Sequence, residues 1–355
     1  MTSPVEPPWS EWGEIIRQDV AGRGLSSLAP PTVSGPAELA AACAELASAE
    51  SIAIVTGFCI LRADPPAGET DGPPGAVAIA RVLHALGRRV VLLSDRFGAP
   101  LLRVGCRFWG LPEEMVEECP IPAGPDDRSA EEWLAAWNRR SQPTHLLSIE
   151  RVGPSHTLES LTAQAQRHGL SADETRALMQ EFAEAVPQAE QGGCYNMRGL
   201  RLDPVNAPLH HLFDEAESRR LADPQAKSIR TIGVGDGGNE IGMGRLDWRA
   251  FHRGLPSGLG GKIACRSLVD HLIVAGVSNW GGYALACGLA CLRTRPDLIE
   301  AHDASTEQNL IRTLVADAGA VDGFSGQREP LVDGLSLEAA TAPLAALRRT
   351  LGYSG

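Results

Sequence analysis

Lysine is nearly missing from this chain: of 32 basic residues in 355, only Lys227 and Lys262 are lysines, and the rest are arginines. Schiff-base chemistry, pyridoxal phosphate included, is thereby confined to two positions. Neither stands in a recognisable cofactor motif, although Lys262, in GGKIAC, adjoins a glycine-rich stretch. Clustered positive charge is missing too. The formal net charge is −12 without a basic run, which makes phosphate backbones and anionic membranes poor partners. No apolar run approaches the roughly 18–20 residues of a membrane-crossing helix. The opening MTSPVEPPWSEWGEIIRQDV is Pro-rich and acidic, unlike a secretory signal. Eight cysteines form no C-x-x-C pair, and Cys287 and Cys291, one helical turn apart, read as small core residues. These absences lead us to expect a reduced, cytoplasmic protein that binds neither nucleic acid nor membrane.

What is present is globular material, 43% hydrophobic and 21% charged, able to bury a sizeable core. Residues 1–35, rich in Pro, Gly and Ser, read as an irregular arm; 36–355 read as one large α/β domain, with 152–194 as an insert or lid. A helix is predicted over 36–49, and an apolar run over 51–59 reads as a buried strand. A Pro/Gly loop over 63–75 leads to a helix ending at Gly87, followed by a strand over 88–95. That strand–helix–strand unit implies parallel pairing with a right-handed crossover. Further helices are predicted over 131–140, 172–186, 208–222, 280–293 and 305–318, and further strands over 145–151, 228–235 and 270–277. The alternation implies a doubly wound, mostly parallel sheet flanked by helices, with glycine-rich loops at the strand C-terminal ends forming the active site.

Ligands of such sheets bind beyond the carboxyl ends of the strands. After the first strand, GETDGPPG at 68–75 offers Glu69, Thr70 and Asp71 at a helix start; Thr70 or Asp71 could also be a simple cap. SIER at 148–151 sets Glu150 beside Arg151, a candidate ion pair. YNMRG at 195–199 carries Asn196 and Arg198, whose guanidinium suits a carboxylate. GVGDGGNEIGMG at 233–244 holds six glycines with Asp236, Asn239 and Glu240, oxygen ligands for Mg²⁺ or Mn²⁺ or proton-transfer groups. Ser278 and Asn279, in GVSNWGGY at 276–283, can cap a helix and face the same crevice.

Other readings fail. Gly233, Gly235 and Gly238 fit G-x-G-x-x-G, but NEIGMGRL is a poor helix and no acid follows at the ribose-binding spacing, so NAD is not expected. GDGGNE resembles the acidic motif of haloacid-dehalogenase-like phosphatases, yet no D-x-D nucleophile follows an early strand. G-x-S-x-G is absent.

Taken together, GETDGPPG, SIER, YNMRG, GVGDGGNEIGMG and GVSNWGGYAL resemble the D-glutamate cyclase family, over roughly residues 50–325. The resemblance implies a carbon–oxygen lyase that closes D-glutamate to 5-oxo-D-proline with loss of water. It assigns catalysis to Asp236, Glu240 and Glu150. Substrate binding falls to Glu69, Thr70, Asp71, Asn196, Arg198, Asn239, Ser278 and Asn279, with Arg198 on the α-carboxylate. Any Mn²⁺ or Mg²⁺ falls to Asp71, Asp236 and Glu240. A metal-dependent hydrolase and a non-catalytic binder of a small acidic metabolite are the alternatives. Only the hydrolase shares with the cyclase a need for these carboxylates to converge.

Overall fold

The computed structural model describes residues 6–20, 22, 24, 28–223 and 228–354. Lys227 and part of the N-terminal arm lie outside them. The apolar runs become a six-stranded, all-parallel sheet. Its strands are β1 (Ser51–Thr56), β4 (Arg89–Ser94), β5 (Val116–Glu118), β6 (His145–Ile149), β7 (Arg230–Gly235) and β8 (His271–Val274). A two-residue pair, β2 (Cys59–Ile60) and β3 (Ala67–Gly68), forms a separate antiparallel ladder. The order across the main sheet is β5-β4-β1-β6-β7-β8. The chain thus winds outward one way from β1 and then the other way from β6, the doubly wound arrangement, which opens a crevice between those two strands.

Period-two alternation divides the sheet's side chains between two cores. Ile52, Ile54, Leu92, Ile149 and Val234 face one layer of helices. These are α1 (Trp9–Ile16), α2 (Pro36–Ser48), α3 (Pro73–Ala85), α10 (Ser278–Leu292) and α12 (Leu337–Thr350). Ala53, Val55, Leu93, Leu146 and Leu272 face the other. That layer contains α5 (Ser129–Ser141), α6 (Leu158–Arg167), α7 (Ala172–Ala185), α8 (His211–Ala222) and α9 (Trp248–Gly254). Two more helices, α4 (Ala99–Phe108) and α11 (Ala304–Ala318), pair through Leu101, Leu310 and Leu314.

Helix α3 has Pro73 and Pro74 in its first turn, where no backbone donor is missed, and Gly87 at φ 72° beyond its end. The segment expected to be irregular contains α1, whose Trp12 and Ile16 are buried against α2 and α12. The Pro/Ser composition around it hides an amphipathic two-turn helix. Residues 152–194 contain α6 and α7, each opened by a capping box (Thr157 with Ser160, Ser171 with Glu174). Phe182 of α7 meets Trp248 edge-on at 5.2 Å.

α10 is buried around nearly its whole circumference and crosses α3 at the sheet centre. The crossing is close because both helices have glycine there: a Cβ on Gly282 would lie 2.7 Å from the Gly75 Cα. Gly282→Ala should therefore force the helices apart and cost about 1–3 kcal/mol, read as a lower urea midpoint at unchanged m-value.

Candidate active site

The crevice between β1 and β6 lies at one end of a cavity of about 630 Å³. Loops following β3, β6 and β7 contribute Glu69, Glu150, Asp236, Asn239 and Glu240 to its lining, and a C-terminal loop adds Asp333. Oxygens of Glu150, Asp236 and Glu240 lie within 4.8 Å of one another, as do those of Asp71, Asp236 and Asp333. Asp236 belongs to both groups. The predicted carboxylates Asp71, Glu150, Asp236 and Glu240 are therefore brought together, and all four are buried.

Each acid is held differently. Glu240 is clasped by its own loop, its two oxygens accepting the backbone N–H groups of Gly237 (2.7 Å) and Gly238 (2.8 Å). That turn requires glycine at 238: φ is 98°, and a Cβ would meet the Phe251 ring at 2.2 Å. Glu150 follows β6 in left-handed backbone, φ 45°, and accepts a 2.5 Å hydrogen bond from the Ser278 hydroxyl. Burial, then the charges of Asp236, Glu240, Asp71 and Glu69, push its carboxyl well above the usual range.

Asp71 reaches across to the first turn of α10. Its Oδ2 accepts from the Ser278 N–H (2.9 Å), and its Oδ1 from the Asn279 N–H (2.8 Å) and its neighbour Gly72 (2.9 Å). Helix start and acid satisfy each other. Burial and Asp333 nevertheless raise Asp71 to about 7, against the lowering effect of those three N–H groups. A folded-state value above the unfolded one means that its stabilising contribution is complete below the unfolded value of 3.8 and is lost as pH rises through about 7. Glu150 is shifted in the same direction. In chelator-treated protein the thermal midpoint should therefore fall as pH rises from about 5 to about 7. A flat or rising midpoint would contradict this.

Several residues expected to touch substrate have hydrogen-bond partners within the chain. Thr70 is fully buried, its hydroxyl donating to the Leu331 carbonyl at 2.6 Å. Asn279 pins the 68–75 loop: its Oδ1 accepts from Gly72 (3.0 Å) and Gly75 (2.9 Å), and its Nδ2 donates to the Thr70 carbonyl (3.0 Å). Ser278 supports Glu150, and α10 is capped by Asp71 rather than by Ser278 or Asn279. Arg151 does not pair with its neighbour Glu150. It is buried on Asp95 at 2.6 Å and also donates to the carbonyls of Gly57 and Ala207. Lys262 pairs with Glu190 at 2.9 Å, away from the acids.

Asn196 and Arg198 do line the cavity, at its rim. Asn196 Oδ1 accepts the N–H groups of Arg198 and Leu200, shaping the turn, while the exposed Arg198 donates to the Phe324 carbonyl at 3.0 Å. Asn239 is 1% exposed, its Nδ2 donating to the Tyr195 carbonyl, while its buried Oδ1 has no hydrogen-bond partner among the described residues. Carboxylates plus an unengaged amide oxygen make an all-oxygen donor set, which suits a hard divalent cation.

Asp333 escapes the sequence reading. With Gly334 it forms a two-residue hairpin turn, both in left-handed backbone (φ 53° and 78°), between the bridged Val332 and Leu335. The Asp-Gly pair is the signal for such a turn, but nothing local says that the turn carries an acid into a distant crevice.

Comparison with known proteins shows the family. A family model described as D-glutamate cyclase-like, C-terminal, matches residues 13–167 and 160–348. The human protein named D-glutamate cyclase, mitochondrial, is 32% identical over 296 residues, 79% of this chain and 38% of that protein. The chain thus spans less than half the length of that relative. Among the described residues no helix is long and apolar enough to cross a membrane, and all eight cysteines are free and buried.

Proposed function

The chain belongs to the D-glutamate cyclase-like family, and from that premise we propose that it is a lyase closing D-glutamate to 5-oxo-D-proline with loss of water. The observation that carries the reading is the convergence of Glu150, Asp236 and Glu240 on one cavity at the switch point of the sheet.

At neutral pH D-glutamate has a charged ammonium and an ionised γ-carboxylate, neither of them ready to react. Ring closure needs a free amine and a γ-carboxyl group whose oxygen can leave as water. Buried acids of unequal proton affinity meet both needs. Asp236, shared by both acid groups, attracts the ammonium and takes its proton. Glu150, kept protonated by burial and neighbouring charge, gives a proton to the γ-carboxylate. The nitrogen–carbon bond then forms, and the nitrogen's second proton passes to the leaving hydroxyl. The carbon–oxygen bond breaks, water departs, and the proton held by Asp236 returns to Glu150. Glu240, fastened by two backbone N–H groups, keeps the loop and its charge in place. Arg198 and Asn196 at the rim engage the α-carboxylate, bending the substrate into reach of itself. The expected metal set of Asp71, Asp236 and Glu240 does not form one cluster, because Asp71 groups with Asp333 and Glu240 with Glu150. Mn²⁺ or Mg²⁺ held by Asp71, Asp236 and Asp333 would polarise the γ-carboxyl oxygen. A non-catalytic binder of an acidic metabolite would gain nothing from buried acids that repel its ligand.

The test incubates purified protein with D-glutamate, with and without Mn²⁺ or Mg²⁺, and follows 5-oxo-D-proline by chiral chromatography, with p-nitrophenyl phosphate as the hydrolase control. Formation of 5-oxo-D-proline is expected. No turnover under any condition removes the reading, and phosphate-ester cleavage alone would replace it with metal-dependent hydrolysis.

A further inference from the structure

The acids occupy only part of the cavity. Its volume, about 630 Å³, falls among clefts of roughly 300–1,000 Å³ that enclose drug-sized ligands, and glutamate is far smaller. Much of the remaining wall is apolar, with Phe58, Ile60 and Leu255 buried along it beside the rim residues Arg62 and Arg198. Among the described residues six large apolar side chains are exposed, and three of them stand on this one rim: Val20 (47%), Leu200 (51%) and Phe324 (66%). Single exposed apolar residues are ordinary, but a group of them around a concave site marks a binding surface. The rim is also braced. The Phe324 carbonyl accepts hydrogen bonds from both Arg62 and Arg198, so the side chain above it is presented by a held backbone.

An acidic floor beneath an apolar collar matches a two-part molecule, with an ammonium at one end and a hydrocarbon group at the other. Free D-glutamate has no such second part. We propose that the site also accepts γ-amides of D-glutamate made with apolar amines, and closes them to 5-oxo-D-proline with release of the amine. This rests on the cyclisation reading above and extends it to the leaving group. The α-nitrogen bonds to the γ-carbon, the γ carbon–nitrogen bond breaks, and the proton lost by the attacking nitrogen ends on the departing amine. Nothing is oxidised or reduced, and no co-reactant is required. The apolar half of the amine rests against Leu200 and Phe324 while the reacting atoms lie over Glu150 and Asp236.

The experiment compares D-glutamate, its γ-methylamide and its γ-phenethylamide as substrates of the whole protein, measuring 5-oxo-D-proline and released amine. The phenethylamide should exceed the methylamide in kcat/KM by at least about tenfold, the worth of burying a few methylene-sized groups. In the double variant Leu200→Ser/Phe324→Ser that preference should shrink about tenfold, with the melting temperature close to wild type because both side chains are exposed. Turnover of D-glutamate without either amide overturns this inference and leaves the cyclase reading standing. Turnover of the amides without D-glutamate does the reverse. Equal use of both amides, or a preference unaffected by the double variant, would show that the collar does not select the leaving group.

Discussion

Asp236→Asn should lower turnover of D-glutamate by about 10²–10⁴, the worth of a positioned proton-transfer group, while leaving the protein at least as heat-stable as before. The two halves of this expectation come from one fact. Asp236 is the member common to both acid groups, so its charge serves the ammonium and at the same time repels its neighbours. Of the neighbouring charges, that of Asp236 raises the Glu150 carboxyl most. Asparagine keeps the shape and removes the charge. Relief of that repulsion should raise the melting temperature, most at pH 8, where more of the surrounding acids ionise. Loss of activity with gain of stability separates a reacting group from a structural one. A variant retaining activity within about tenfold, or one that melts early, would assign Asp236 to the scaffold.

Arg151→Met should be the most damaging single change to the fold itself, costing about 3–5 kcal/mol. Its guanidinium is 1% exposed and joins three segments: Asp95 after β4, the Gly57 carbonyl after β1, and the Ala207 carbonyl before α8. Methionine would fill the space and leave Asp95, itself 2% exposed, as an uncompensated buried charge. Adding Asp95→Asn should recover a good part of the loss, since removing both charges costs less than stranding one. Urea denaturation of the two single variants and the double variant gives the coupling directly. A single-variant loss under about 1 kcal/mol would mean that water or another group already satisfies Asp95.

These two residues also illustrate what the sequence makes legible. The strands were readable because a parallel sheet buried on both faces needs continuous apolar runs such as SIAIVTGF. Helix α3 was readable because its Pro start and Gly stop are local signals. The acids Glu150, Asp236 and Glu240 were readable as candidates because strand ends are where such sheets place chemistry. Pairing was not. Arg151 looked like the partner of Glu150, but adjacent residues at the end of a strand point apart, and its true partner is 56 positions away. Thr70, Ser278 and Asn279 looked like substrate contacts because they are polar and lie in the right loops. Their hydrogen-bond partners lie 128 to 261 residues away, where no local signal shows them. Helix α12 lay beyond the predicted elements; it carries an interior proline, Pro343, which argues locally against a helix. Asp333 was invisible for the complementary reason: its turn is local, but its destination is set by the packing of the whole chain.

That last residue has a consequence for how the protein is made. Asp71 is synthesised 262 residues before Asp333, yet they share one acid group. While the chain is still emerging, strands β5, β4, β1 and β6 can pair and Arg151 can find Asp95, because all of those partners precede residue 210. The late C-terminal hairpin brings both the Leu331 carbonyl that receives Thr70 and the final acid of the cluster. The crowding of negative charge is therefore imposed on a scaffold that is already largely folded. A nascent chain halted before residue 331 would have the sheet but neither of these closing contacts, so the reaction centre is completed after the part of the molecule that must resist its repulsion.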